Sequence, residues 1–254
     1  MLSLLLVALL AEPSAAPLDQ TSLAQAMVEA SQAASPERLA GQRFRIVLPF
    51  TEERVRKYRA FKQSARWTYD TRRKVLVTSI GLGEITASNF NRFESSKLHG
   101  LPPLQSLVFN VESRSRPTPF SRISQSREYA YDMGVSTMAS SYGLAIPYQE
   151  GGVSGLPAGF TPLVINQLRA SKDTAWRLAK TMNVVVEGEI TSLGQEPEVF
   201  CGDYRGQLTS LERTGNTRFV VKDRQCFVTA RIDRVRVVRG ESVMAQWPKA
   251  VAQP

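Results

Sequence analysis

The chain has 254 residues, of which 43% are hydrophobic, so it can bury a substantial core in one large domain or two small ones. Charged residues interrupt every apolar stretch after residue 20. This argues against a transmembrane anchor, because such a helix needs roughly 18 consecutive apolar residues. The 32 basic and 23 acidic residues give a formal charge of +9, which favours an anionic partner; the alternative is a generally basic surface with no specific partner.

The first feature in chain order is an apolar run over residues 2–11, followed by the small residues Ser14, Ala15 and Ala16. This pattern predicts a secretory signal peptide over residues 1–16 and a periplasmic or secreted protein. Two details depart from a typical signal: no Lys or Arg precedes the apolar run, and Pro17 follows the expected cleavage position. The alternatives are cleavage elsewhere, a start further upstream, or an apolar helix packed on the domain.

Residues 17–42 predict a linker or a lead-in helix, capped by Thr21 or Ser22 and docked loosely through a narrow apolar face. Strict alternation of apolar residues predicts a strand over residues 44–50. Acidic residues followed by basic residues favour a helix over residues 51–66, because this order suits the helix dipole.

The clearest element is a hairpin with arms at residues 65–69 and 74–79, whose aromatic and β-branched residues flank a polar turn. Beyond an irregular stretch, residues 104–112 predict a strand. The Arg-, Pro- and Ser-rich residues 113–126 predict an exposed loop. Two more strands are expected, over residues 128–137 and 141–147.

In the second half, residues 161–182 predict helical structure, with Ser171 as the cap of its best part. A strand is expected over residues 183–193. Residues 217–222 and 225–239 predict a closing hairpin. The apolar phase of the last run switches after Ile232, which predicts a β-bulge.

These elements predict an α+β fold with a mostly antiparallel β-sheet and two or three short helices. The glycine-rich residues 150–159 mark a possible boundary between two small lobes. The first lobe would be β-rich, over residues 43–150, and the second would combine helix and sheet, over residues 160–247. A tail over residues 248–254 would follow.

The two cysteines, Cys201 and Cys226, predict a disulfide bond, because an isolated pair in an oxidising compartment is most simply bonded; the alternative is two independent buried thiols. Their spacing has no metal-like pattern, and the single histidine, His99, cannot build a His-rich zinc site. His99 lacks a recognisable catalytic partner, so a turn histidine is the preferred interpretation. We therefore expect no metal site and no cofactor.

The one positive signal for function is a basic segment interleaved with aromatic residues. The candidate residues for binding an anionic partner are Arg54, Arg56, Lys57, Arg59, Lys62, Arg72, Arg73 and Lys74. A second basic group follows on the last strand: Arg231, Arg234, Arg236 and Arg239. The carboxylates Glu187 and Glu189 lie on one face of a predicted strand. Their spacing would suit glycoside hydrolysis, but the simpler interpretation is that they mark the less buried face of the strand.

The sequence therefore favours a non-catalytic cell-envelope protein that binds an anionic polymer, a lipid surface or an acidic protein, or that belongs to an assembly. A periplasmic or secreted hydrolase with an unrecognised site is one alternative. A basic nucleic-acid-binding protein is another, but it requires that residues 1–16 are not a signal, and no nucleic-acid motif is present.

Overall fold

A computed structural model describes the protein over residues 16–32, 38–53, 64–85, 104–109, 116–126, 131–147, 155–192, 198–214 and 217–249. The helices in these ranges are α1 (Gln20–Gln32) and α2 (Lys172–Thr181). The strands are β1 (Arg43–Pro49), β2 (Thr51–Glu52), β3 (Ala65–Asp70), β4 (Val75–Gly81), β5 (Gly83–Ile85), β6 (Leu104–Phe109), β7 (Arg116–Ser126), β8 (Tyr131–Pro147), β9 (Leu163–Arg169), β10 (Met182–Ile190), β11 (Val199–Thr214), β12 (Thr217–Arg239) and β13 (Ser242–Trp247).

The strands form two sheets. The larger sheet runs in the order β1-β10-β12-β8-β6-β5, with β11 and β13 also paired to β12 and β7 paired to β8; the smaller sheet runs β2-β3-β4-β9. Pairing is antiparallel except between β8 and β12 and between β2 and β3. This confirms the broad α+β class. The two predicted lobes are not confirmed, because both sheets combine strands from either side of residue 155.

The main core cluster combines buried residues from α1, both sheets and α2; α1 contacts β1, β11 and β12, and α2 contacts β3 and β4. Helix α1 buries Leu23, Ala24 and Met27 completely, so the expectation of a loosely docked segment is wrong. Its cap is Asp19 rather than Thr21 or Ser22, because the Asp19 carboxylate accepts the Ser22 amide at 2.8 Å. That hydrogen bond is the main reason why the pKa of Asp19 lies below its usual range.

Strand β12 is the longest of the described elements. It lies between β10 and β8 in the larger sheet and also pairs with β11 and β13. Its register against β10 shifts between Glu187 and Gly188, which leaves Asp233 as an extra residue. This is the predicted bulge. The buried positions change phase across it, from Val228, Ala230 and Ile232 to Val235 and Val237.

The predicted disulfide bond between Cys201 and Cys226 is present. Cys201 lies in β11, directly opposite Cys226 in β12. Both side chains are buried. On the chain-entropy account, closing a loop of about 26 residues stabilises the fold by about 3–4 kcal/mol.

Several predicted boundaries are wrong because pairing partners distant in sequence decide them. Residues 116–126 form β7 against β8 rather than a loop, and residues 163–169 form β9 against β4 rather than a helix. Thr51 and Glu52 pair with β3, so the predicted helix does not begin at Thr51. The strands predicted at 128–137 and 141–147 merge into β8, and residues 217–239 form one strand rather than a hairpin.

Gly188 makes the bulge possible, because a methyl group there would overlap the Arg231 carbonyl and lie 2.8 Å from Phe44 Cζ. We expect Gly188→Ala to lower the free energy of unfolding by about 3 kcal/mol or more, since the backbone at Arg231 cannot move without disrupting the sheet. Urea unfolding measures the change. The control is Gly83→Ala, where a methyl group meets only the Ser106 hydroxyl at 3.0 Å. Equal losses for both variants would contradict the role of Gly188.

Candidate functional site

The described part of the predicted basic segment lies in the turn between β3 and β4. Arg72, Arg73 and Lys74 are all exposed there. The remaining candidates lie outside the described residues, as does His99: Arg54, Arg56, Lys57, Arg59 and Lys62. The structure therefore gives positions for three of the eight predicted binding residues.

The turn has a defined shape. The Asp70 carboxylate accepts hydrogen bonds from the backbone amides of Arg72 and Arg73, both at 3.0 Å. Lys74 adopts a left-handed conformation with φ of 52°, which ends the turn and returns the chain to β4. Because these interactions use the backbone and the Asp70 side chain, the cationic side chains of Arg72 and Arg73 extend into solvent.

The end of β9 and the start of α2 lie beside this turn. The Ala170 amide donates to the Lys74 carbonyl at 3.1 Å, and the Tyr69 hydroxyl donates to the Ala170 carbonyl at 2.9 Å. The Ser171 hydroxyl then caps α2 by accepting the Thr174 amide, which confirms the predicted cap. These contacts place the first turns of α2 against β3 and β4.

This arrangement brings exposed cations from three elements to one end of the smaller sheet, which we call the basic end. Its cations are Arg72, Arg73, Lys74, Arg169, Lys172 and Arg177. The nearby carboxylates are Asp70, Asp173 and Glu52. Cations outnumber carboxylates here by six to three, so the basic end attracts anions.

A cavity of about 490 Å³ opens between α2 and the β2–β3 pair at the basic end. Its lining combines aromatic rings with charged groups of both signs: Glu52, Trp67, Tyr69, Lys172, Asp173, Trp176 and Arg177. This volume falls within the range of small-molecule sites. We call it the aromatic cavity.

The two tryptophans in the aromatic cavity differ in exposure. Trp67 is buried, whereas Trp176 is 48% exposed, and Lys180 lies 3.5 Å from the centre of the Trp176 ring. The exposed half of the Trp176 ring is apolar surface in contact with water, which is unfavourable. A ligand that covers the ring would remove this contact. The sequence pattern predicts the helix, but Trp176 is not among the predicted site residues. The signal was present, because Trp176 lies outside the apolar stripe that contains Ala175 and Ala179.

Another nearby cation, Arg66, is largely committed to an ion pair. Its Nη1 atom lies 2.9 Å from Glu53 Oε1, and its side chain is only 18% exposed. Arg66 therefore contributes little to the net charge of the basic end, which comes from the turn, β9 and α2.

Most arginines of the second predicted basic group are in ion pairs with carboxylates on the outer face of β1, β10 and β12. Glu187 contacts the guanidinium groups of Arg45, Arg234 and Arg236 at 3.3, 3.5 and 2.6 Å. The same face carries four more charged residues in ion pairs: Arg43, Glu189, Arg231 and Asp233. We call these eight residues the outer charge network.

The outer charge network changes two sequence interpretations. Glu187 and Glu189 lie on the less buried face of β10, as the simpler interpretation proposed, and they bind arginines rather than line a cleft. Three of the four arginines of the second basic group are in ion pairs; the fourth, Arg239, lies outside the network. The basic end is therefore the better candidate for binding an anion.

Among the described residues, no group of three or more His, Cys, Asp and Glu side chains is placed to hold a metal ion. Within the same ranges, no helix has the length and apolar character needed to cross a membrane. No protein-family model matches the chain, and comparisons with curated proteins and with solved structures find no match either. The chemistry of the site residues is therefore the guide to function.

The outer charge network predicts unequal effects for its two glutamates. Glu187→Gln leaves three guanidinium groups without their shared carboxylate, and Glu187 and Arg236 are both largely buried. We expect a loss of about 1–3 kcal/mol in the free energy of unfolding, measured by urea titration. Glu189→Gln is the control, and it should cost less than about 1 kcal/mol because its partner Arg231 is half exposed. Equal losses would show that the network adds nothing beyond surface pairs.

Proposed function

We propose that the protein is a non-catalytic binding component of the cell envelope that binds an anionic partner at the basic end. The single observation that supports this is the excess of exposed cations at the basic end, six against three carboxylates, beside an aromatic cavity whose own cations are Lys172 and Arg177. The Cys201–Cys226 disulfide bond fits an oxidising compartment outside the cytoplasm, which supports the envelope assignment.

The composition of the aromatic cavity favours an anionic saccharide among the possible anionic partners. Lys172 and Arg177 can donate hydrogen bonds to carboxylate or sulfate groups, and Glu52 and Asp173 can accept hydrogen bonds from hydroxyl groups. Trp176 can cover the apolar face of a sugar ring. A lipid phosphate would use the cations but would offer neither hydroxyl groups to the two carboxylates nor a ring face to Trp176, so it matches the cavity less well.

The basic end is tested by charge reversal, with polygalacturonate as the acidic probe and dextran as the neutral one. The double variant Arg72→Glu/Arg73→Glu should weaken polygalacturonate binding by at least about tenfold at low salt, because it replaces attraction with repulsion. Trp176→Ala should weaken it by a similar factor without changing the charge. Isothermal titration calorimetry at two salt concentrations measures both effects.

The matched control is Arg239→Glu/Lys249→Glu, which makes the same change in net charge at two exposed residues outside the basic end. It should change binding by less than about threefold at moderate salt, where charges far from the ligand are screened. If both double variants lose affinity equally, the attraction is a property of the whole basic surface and the proposed site is wrong. Tighter binding to anionic vesicles or duplex DNA than to polygalacturonate would overturn the ligand class.

The hydrolase alternative is favoured by one observation: Glu52 and Asp173 are two carboxylates that line the same cavity. Glycoside hydrolysis uses such a pair, with one carboxyl group as acid and the other as base or nucleophile. If the protein released reducing ends from polygalacturonate and Glu52→Gln abolished this release while binding persisted, hydrolysis would replace binding as the function.

A further inference from the structure

Strand β9 forms one side of the smaller sheet, and its outer edge is open within the described part of the chain. It pairs with β4 on one side, and no other described strand pairs with it. Its large aliphatic side chains are unusually accessible: Leu163 and Ile165 are 54% exposed and Leu168 is 47% exposed. Edge strands usually carry charges, prolines or bulges that block pairing with another chain, but β9 carries only one charge, Arg169 at its end.

The hydrogen bonds to β4 show which backbone groups of β9 point outward. The Ala170 amide donates to the Lys74 carbonyl, and the Pro162 carbonyl accepts the Leu82 amide. Even-numbered positions therefore face β4. Because backbone direction alternates along an antiparallel pair, the N–H and C=O groups of Ile165 and Gln167 point away from β4. An added strand would find donors and acceptors in register at these two residues.

We propose that β9 binds an extended segment of an acidic partner protein by strand addition. Alternation along the strand puts Leu163, Ile165, Gln167 and Arg169 on one face. An added strand would place aliphatic side chains beside Leu163 and Ile165 and a carboxylate beside Arg169, since these are favourable cross-strand neighbours. The other cations of the basic end lie next to Arg169 and favour further acidic residues at that end of the segment.

Charge complementarity favours this partner over a second copy of the chain. In antiparallel pairing of β9 with itself centred on Asn166, Arg169 would lie opposite Leu163 and would find no carboxylate. In parallel pairing, Arg169 would lie beside Arg169 of the other copy, and like charges directly opposite each other are destabilising. An acidic segment would place a carboxylate beside Arg169, and the same added strand would bury the aliphatic residues of β9.

The test uses a dye-labelled peptide of alternating valine and threonine with glutamates at its amino terminus, which lies beside Arg169 in antiparallel pairing. Fluorescence anisotropy should detect binding to the full-length protein. Gln167→Pro removes an outward N–H group but leaves the hydrogen bonds to β4 intact, so affinity should fall by at least about tenfold. Gln167→Ala is the matched control, because it removes the same side chain and keeps the N–H group; its affinity should stay within about threefold of the original.

A second pair of variants tests the charge and does not depend on proline being tolerated. Arg169→Glu should weaken binding of the glutamate peptide by about tenfold and should bind better a peptide that carries lysines in place of the glutamates. Trp176→Ala should leave peptide binding unchanged, which separates this site from the aromatic cavity. If both peptides bound the original protein equally, charge would not select the partner and the proposal of an acidic partner would be wrong. Sedimentation that shows a dimer lost in Gln167→Pro would assign β9 to a second copy instead.

Discussion

The extra residue in β12 determines which face of the larger sheet each later residue occupies. Side chains alternate along a strand, so a shift of one residue exchanges the core face and the solvent face. Before Asp233, the buried residues are Val228, Ala230 and Ile232; after it, they are Val235 and Val237. Without the bulge, Arg234 and Arg236 would point into the core. The absence of a side chain at Gly188 lets β10 accommodate the bulge at this position.

The bulge also explains why the larger sheet is a poor candidate for binding anions. It places Arg234 opposite Glu187, while β1 brings Arg45 to the same carboxylate from the other side. The cations of this face are thus held by carboxylates in neighbouring strands, and an anionic ligand would have to compete with those carboxylates. The basic end of the smaller sheet has the larger excess, with six cations to three carboxylates against five to three in the outer charge network, so the attraction to an external anion is greater there.

The sequence predicted the elements in which one face is buried. Strand β1 and the bulge show alternation that is visible over a few residues, and the β3–β4 hairpin and β10 are rich in β-branched residues. Strand β9 was missed for a physical reason: nearly all its residues are exposed, so its sequence carries no period of two. Strand β7 contains Pro117 and Pro119, which favoured a loop, and only its pairing with β8 makes it a strand.

The candidate site was predictable only in part, because it too depends on contacts between residues far apart in the sequence. Local composition identified Arg72, Arg73 and Lys74 as exposed cations. The aromatic cavity depends on contacts that no local window contains: the pairing of Glu52 with Trp67, and the docking of α2 through Ala170. The second basic group is also less available than its local sequence suggests, because the glutamates that bind its arginines lie more than 40 positions away along the chain.

The smaller sheet is suited to recognition because its exposed groups are held in place before a ligand arrives. Asp70 holds the turn that presents Arg72 and Arg73, and Ser171 caps the helix that presents Lys172 and Trp176. Binding to groups on an ordered backbone loses less conformational entropy than binding to groups on an unstructured one. The larger sheet, in contrast, directs its cations toward its own carboxylates. Both sheets carry arginines on exposed faces, and they differ in how many of these arginines are bound by neighbouring carboxylates.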